Sequence, residues 1–262
     1  MNIKGLIIPA ATPFNDGHVD LPALSNLLEF LIKGGADSIF IIGTTGEFQY
    51  LSFTQKQKII KQANSIIGHR LPLLVGISAE DPAEIKALAG EAAENEAEGV
   101  VLAPIFGGGN PCEKMDSMIQ NSSLPLLLYN NPEIHPGKQL PLKIVGEYAP
   151  HPKVIGIKDS SGDRDYFNKL LQIQSKSFSV LEGKESSILS AIVAGADGIV
   201  PGTANVDPGL FARILVLRDE ETMGQILFLK SELKELTGEP IPAIKQKLVQ
   251  LGIISSAETV KL

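Results

Sequence analysis

Lys158 ends a short apolar run, Val154-Ile155-Gly156-Ile157-Lys158-Asp159-Ser160, where apolar residues give way to loop-forming ones. A lysine at such a position is ordinarily a solvated point charge, because charged side chains are mostly exposed. In apolar surroundings the neutral amine is favoured instead, and it can attack a carbonyl carbon to form a Schiff base. Tyr129, in Tyr129-Asn130-Asn131-Pro132, closes the preceding apolar run and carries a phenol able to move protons. Alone it would read as a packing residue with its hydroxyl satisfied by main chain; a neighbouring reactive lysine reverses that preference. Lys184, in Leu181-Glu182-Gly183-Lys184-Glu185-Ser186, is a second strand-end lysine and the weaker nucleophile. It follows glycine into a charged helix start and is expected to face solvent.

The elements that must position these groups recur along the chain. Eight runs rich in Ile, Val and Leu span 6–13, 38–44, 71–78, 99–105, 125–130, 154–159, 178–183 and 198–203. Each ends in turn-forming or polar residues and precedes a segment of helical character. Strands buried on both faces read as continuous apolar runs, and alternation with helices predicts repeated β-α units. Eight such units close an α/β (β/α)8 barrel, a TIM barrel. Asp20 before Leu21-Pro22, Asp81 before Pro82 and Asp207 before Pro208 each place a capping acceptor next to a proline that opens a helix. Gly34-Gly35 and Gly195 are expected to end helices with positive φ. Residues 220–237 and 242–251 read as additional C-terminal helices, giving a barrel over 1–218 and a short helical extension packed on it over 219–262.

Composition narrows the function classes. With 262 residues, 44% hydrophobic, the chain can bury a barrel-sized core. Its net charge is -7, with scattered Lys and Arg, which predicts no nucleic-acid or anionic-membrane partner and points to a small molecule. Cys112 is the only cysteine, so no intramolecular disulfide forms, and a cytoplasmic location is expected. No apolar stretch is long enough for a membrane span, and the N-terminal one is too short for a signal peptide.

In such barrels chemistry sits at the carboxyl ends of the strands. Strand two ends Gly43-Thr44-Thr45-Gly46-Glu47, strands five and six end with Tyr129 and Lys158, and strand eight passes into Pro201-Gly202-Thr203-Ala204-Asn205. Alternation puts Lys158 on one face with Gly156 and Val154, and Tyr129 with Leu127, both expected to point inward. Gly156 below Lys158 is expected to leave room for the lysine stem. Sequential strands are adjacent, so the phenol and the amine should meet.

These segments, in this order, resemble the dihydrodipicolinate synthase and N-acetylneuraminate lyase family of class I aldolases, over most of the chain. The resemblance implies that Lys158 forms the Schiff base with pyruvate or another 2-oxo acid and that Tyr129 is the acid/base. It implies that Thr44 joins the proton relay, that Thr44 and Thr45 hold the 2-oxo acid carboxylate, and that Val200 adds a main-chain contact. Glu47 is expected to organise its loop. The implied partners are pyruvate and an aldehyde, in a homo-oligomer, dimer or tetramer, without cofactor or metal. Phe106 departs from the family by replacing a tyrosine that completes the relay across a dimer interface, and 106–129 is shortened. Glu133-Ile134-His135-Pro136-Gly137 lacks the arginine with which synthases receive a second carboxylate. That absence, with Phe48, favours cleavage of a neutral 2-keto-3-deoxy sugar acid, as in 2-keto-3-deoxygluconate-type aldolases, over synthase-like condensation.

Two other readings stand beside this one. A pyruvate-binding protein with little catalysis would keep the pocket without the relay. A sugar-phosphate barrel would use Gly202-Thr203-Ala204 for phosphate. Gly107-Gly108-Gly109-Asn110 lacks the Gly-Lys-Ser/Thr of a nucleotide cradle and reads as a loop. His18, His69, His135 and His151 fall in predicted loops without a second ligand at metal spacing.

Overall fold

A computed structural model describes residues 3–79, 81–103, 111–132 and 139–260. Phe106, the Gly107–Gly109 segment, Asn110 and residues 133–137 lie outside the described residues. Eight parallel strands form a closed barrel: β1 (Gly5–Pro9), β2 (Ser38–Ile41), β3 (Leu73–Gly76), β4 (Gly99–Leu102), β5 (Leu126–Asn130), β6 (Val154–Asp159), β7 (Ser179–Glu182) and β8 (Gly198–Ile199). Helices α1 (Leu21–Lys33), α2 (Phe53–Ile67), α3 (Pro82–Glu94), α4 (Pro111–Gln120), α5 (Leu142–Tyr148), α6 (Arg164–Ile173), α7 (Ile188–Ala194) and α8 (Pro208–Leu217) follow the strands in turn. Then come α9 (Glu220–Thr237) and α10 (Pro240–Gln250), which pack on one another.

Strand side chains sort into two apolar layers, as the pleat requires. Ile7, Phe40, Leu74, Val101, Leu127, Ile155, Leu181 and Val200 fill the barrel interior. Their neighbours, such as Ile8, Ile39, Val75, Val100, Leu128, Ile157 and Val180, pack outward among the helices. Burying each such aliphatic side chain stabilises by about 1.5–3 kcal/mol, enough in sum to fix strand register. The expected caps form: Asp20, Asp81 and Asp207 accept from Ala23, Ala83 and Leu210 N–H at 2.9, 2.8 and 2.9 Å.

Several boundaries differ from the sequence reading, mostly because apolar runs continue into the loops at the barrel mouth. β1 stops at Pro9, and a short antiparallel hairpin, Phe14–Asn15 with His18–Val19, follows it. β2 stops because Ile42 turns left-handed at φ 58. β8 stops at Ile199, and Gly202–Asn205 form a single 3-10 turn. Gly34 caps α1 at φ -79; the positive φ belongs to Gly35 and Gly195. His18 lies in the hairpin rather than in a loop.

Candidate active site

Direct pairing of Tyr129 with Lys158 brings phenol and amine side by side at the ends of β5 and β6. Both are buried, and Lys158 Nζ lies 4.0 Å from the centre of the Tyr129 ring and 5.6 Å from that of Phe40. The amine therefore sits inside the barrel against two aromatic faces. Among the described residues, none of the ion pairs includes Lys158.

Lys158 points inward, but not for the reason that simple alternation supplies. Val154 and Ile157 both pack outward, while Ile155 faces the interior. The register shifts at this point: Leu126 pairs with Val154, yet Leu127 pairs with Gly156. One extra residue in β6 thus resets the alternation, as a bulge does. Without it, counting by twos from Val154 would turn Lys158 toward the helices. Nor does Gly156 make room for the lysine stem. A Cβ there would lie 2.4 Å from Ser179 O, so this glycine serves the close approach of β6 and β7. The glycine beside the stem is Gly183, where a Cβ would lie 2.9 Å from Lys158 Cε and 2.1 Å from Ser160 Oγ.

The phenol oxygen of Tyr129 accepts a hydrogen bond from Asn131 Nδ2 at 2.8 Å and lies 3.5 Å from Thr44 Oγ1. Burial by itself would raise the phenol's pKa. The Lys158 charge and hydrogen bonds with Thr44, Asn131 and Ser160 outweigh burial and hold it below the ordinary tyrosine value. A phenol whose pKa is lowered in this way suits a group that must accept a proton and return it.

Thr44, Thr45, Tyr129, Lys158 and Val200, taken from four different strand ends, line one cavity of about 440 Å³. The loop carrying the two threonines is held from behind. Gly46 O accepts from Thr12 Oγ1 at 2.8 Å. Glu47, left-handed at φ 58, is buried and receives the Lys245 ammonium on Oε2 and the Val260 N–H on Oε1 at 3.0 Å. Lys245 Nζ also donates to Glu258 O at 2.8 Å and lies 4.5 Å from the centre of the Phe14 ring. Burial dominates both charges of the pair, raising the Glu47 pKa and lowering that of Lys245. Glu47 therefore ties the loop to α10 and to the chain segment beyond it.

The main-chain N–H of Val200 donates to Glu182 O at 2.7 Å. A main-chain contact from Val200 to a ligand would thus come from its carbonyl. Thr203, offered by the sugar-phosphate reading, has both N–H and hydroxyl donated to Glu185 Oε1, each at 2.9 Å. A carboxylate stands where that reading would put a phosphate. Asn205 stitches the barrel shut, donating to Pro9 O at 2.8 Å and accepting from Ala11 N–H at 3.0 Å.

Lys184 is only partly exposed and lines the same cavity, contrary to the expectation that it faces solvent. Asn131, Ser160 and Gly183 stand in the quoted strand-end segments, and extending the strand-end rule one residue into each loop would have found them. Lys230, Lys234, Ile241 and Ile244 also line the cavity, from α9 and α10. Nothing in the sequence marks them, because lysines on an amphipathic helix read as a solvated face.

A closed parallel barrel with a buried lysine and tyrosine paired at its mouth has the architecture of Schiff-base lyases. A family model, the dihydrodipicolinate synthetase family, matches residues 2–258. The chain belongs to that family, the pyruvate-dependent Schiff-base aldolases, and is an enzyme of that carbon–carbon lyase class. It is 30% identical over 265 residues to 4-hydroxy-tetrahydrodipicolinate synthase of Xylella fastidiosa, covering 97% of this chain and 87% of the relative. The solved dihydrodipicolinate synthase of Bacteroides thetaiotaomicron superposes with a TM-score of 0.89 at 33% identity, over 99% of this chain and 93% of that one. The Acinetobacter baumannii synthase, solved with pyruvate, gives 0.87 at 27% identity, over 100% and 93%. Among the described residues, no helix is long and apolar enough to cross a membrane.

Proposed function

We propose that this chain cleaves a 2-keto-3-deoxy sugar acid reversibly into pyruvate and an aldehyde, with Lys158 as the Schiff-base residue and Tyr129 as the acid/base. The observation that carries the reading is the buried amine packed against a phenol of lowered pKa, at the base of one cavity. Lys158 Nζ attacks the keto carbon and water leaves, giving a protonated imine. The C3–C4 bond then breaks with its electron pair drawn into the imine as an enamine, while the C4 hydroxyl gives its proton to Tyr129. The aldehyde departs, the enamine is protonated at C3, and water hydrolyses the imine to release pyruvate.

Thr44 relays the proton, across the 3.5 Å to the Tyr129 oxygen. Thr44 and Thr45 hold the 2-oxo acid carboxylate with hydroxyls and main-chain N–H groups. Pyruvate in the Acinetobacter baumannii relative supports the keto-acid half of the reading. The synthase names of the relatives favour a second reading, the same steps run toward condensation of pyruvate with an aldehyde. Exposed Val193, Val216, Leu217, Leu227 and Phe228 on α7, α8 and α9 support a homo-oligomer.

Borohydride added with pyruvate should leave a reduced adduct on Lys158, absent in Lys158→Ala. Tyr129→Phe should keep the adduct yet cleave sugar acids about 10²–10⁴-fold more slowly. An unchanged intact mass after trapping overturns the Schiff-base role, and an adduct without turnover of any keto acid identifies a binding protein instead.

A further inference from the structure

Two residues beyond Tyr129 a second polar side chain stands in the same wall of the cavity. Asn131 is 9% exposed and lines the cavity with Tyr129, and its Nδ2 donates to the phenol oxygen at 2.8 Å. Thr44 Oγ1 stands 3.5 Å from that oxygen, well beyond the ordinary length of a hydroxyl hydrogen bond. Positions i and i+2 of an extended chain share a face, and Pro132 biases the residue before it toward extended backbone. Asn130, between the two, anchors the segment from the other face. It donates to Asp159 Oδ1 at 2.6 Å and accepts from the Leu140 N–H at 2.9 Å. The amide of Asn131 thus hangs from backbone that is fixed on the side away from the cavity.

Lys158 and Asn131 favour an ionised phenol in different ways. Lys158 acts through its charge, and cleavage removes that charge. The electron pair of the C3–C4 bond turns the cationic imine into a neutral enamine while the phenolate takes the proton of the C4 hydroxyl. Asn131 acts through a neutral N–H that neither titrates nor reacts, so its influence is the same at each step. A donor binds a charged oxygen more strongly than a neutral one, and the bond therefore favours phenolate over phenol. An amide turned the other way would offer its carbonyl, accept the phenol proton and favour the neutral form, so the sign of the effect is diagnostic. The other charged groups around the phenol are Lys184 and Glu185 after β7 and Lys230 and Lys234 on α9, which line the same cavity. Asp159 and Glu182 line a separate one, with residues of α6 and α7. A change at Asn131 alters none of them.

We propose that Asn131 is the positioning residue of the acid/base: its amide holds the Tyr129 oxygen at the cavity wall, ready to take a proton, whatever the charge on Lys158. The kinetic part of this rests on the aldolase reading, and the first test does not. Ionisation of Tyr129 is followed by ultraviolet phenolate absorbance, with the signal of a Tyr129→Phe protein subtracted to remove the remaining tyrosines. Asn131→Leu, close in shape but without a donor, should raise the pH at which Tyr129 ionises by about 1–2. Asn131→Asp, which sets a carboxylate beside the phenol, should raise it at least as far. Exchange of the pyruvate methyl hydrogens with heavy water then reads proton movement between imine and enamine. In Asn131→Leu it should slow about tenfold or more at neutral pH, as the phenolate becomes scarcer. The pyruvate concentration for half-maximal borohydride trapping should change less than about twofold. Ionisation that stays put or moves down in either folded variant overturns the proposal. So does a loss of trapping affinity as large as the loss of exchange, which would mark a general disturbance of the pocket. If the parent protein traps no pyruvate, the aldolase reading falls, and the titration still decides the role of Asn131.

Discussion

The most demanding prediction concerns Lys245, whose side chain is 0% exposed and whose partner Glu47 is 4% exposed. Lys245→Met keeps most of the stem but removes the ammonium. Glu47 is then a buried carboxylate with the Val260 N–H as its remaining hydrogen-bond donor among the described partners, and the Glu258 carbonyl loses a donor as well. Breaking a buried pair in this way costs about 3–5 kcal/mol. At about 2–4 °C per kcal/mol for a chain of this size, Tm should fall by roughly 6–20 °C. Burial already drives Glu47 toward its protonated form, so the gap should be smallest in acid and widen as pH rises and the unpaired carboxylate must ionise. Adding Glu47→Gln, whose amide oxygen can still accept from Val260, should recover more than half of the loss, since it removes the uncompensated charge. Thermal and urea unfolding measure the stability, and the pyruvate concentration giving half-maximal borohydride trapping measures the adjacent Thr44-Thr45 loop. A Lys245→Met protein within about 1 kcal/mol of the parent, or a double variant no more stable than the single one, would refute the reasoning.

Two further predictions follow from distances and burial. Gly183→Ala sets a Cβ 2.9 Å from Lys158 Cε and 2.1 Å from Ser160 Oγ; displacement of the amine should slow pyruvate trapping about 10–100-fold, and a parental rate in a folded variant would contradict the role given to this glycine. Glu182 is pushed up to about 8, chiefly by burial and further by the Asp159 charge, against hydrogen bonds from the Lys184 and Gly183 N–H groups. It holds its proton more tightly folded than unfolded, so its contribution is complete below about pH 4.5 and is lost as pH rises through about 8. The loss is on the order of 5 kcal/mol. Glu182→Gln should flatten that part of the stability profile, and an unaltered slope between those limits counts against it.

The barrel was legible because it is written redundantly: eight apolar runs alternate with helices, and several helices open on an Asp cap beside proline. The convergence of Thr44, Thr45, Tyr129, Lys158 and Val200 was legible because a parallel barrel delivers all its strand ends to one rim. What escaped was whatever depends on a single local irregularity or on a distant partner. The extra residue in β6 has no compositional mark, since Ile155 and Gly156 fit either phase of the pleat. Lys245 sits in a helix where lysines normally face water, and its partner lies 198 positions away. Lys230 and Lys234 look like ordinary solvated charges until α9 is seen lying across the mouth.

The break in pairing within β6 divides the strand into two parts that answer to different demands. Val154 and Ile155 belong to the deep packing of the cylinder, whereas Ile157 and Lys158 belong to its rim. Because the extra residue, Ile155, is skipped in the pairing with β5 between Val154 and Gly156, the lower half can be remodelled, one aliphatic exchanged for another, without rotating the amine. The upper half has no such freedom. A residue inserted or removed between the break and Lys158 would turn its nitrogen from the cavity toward the helices, whereas an aliphatic exchange in the floor would not.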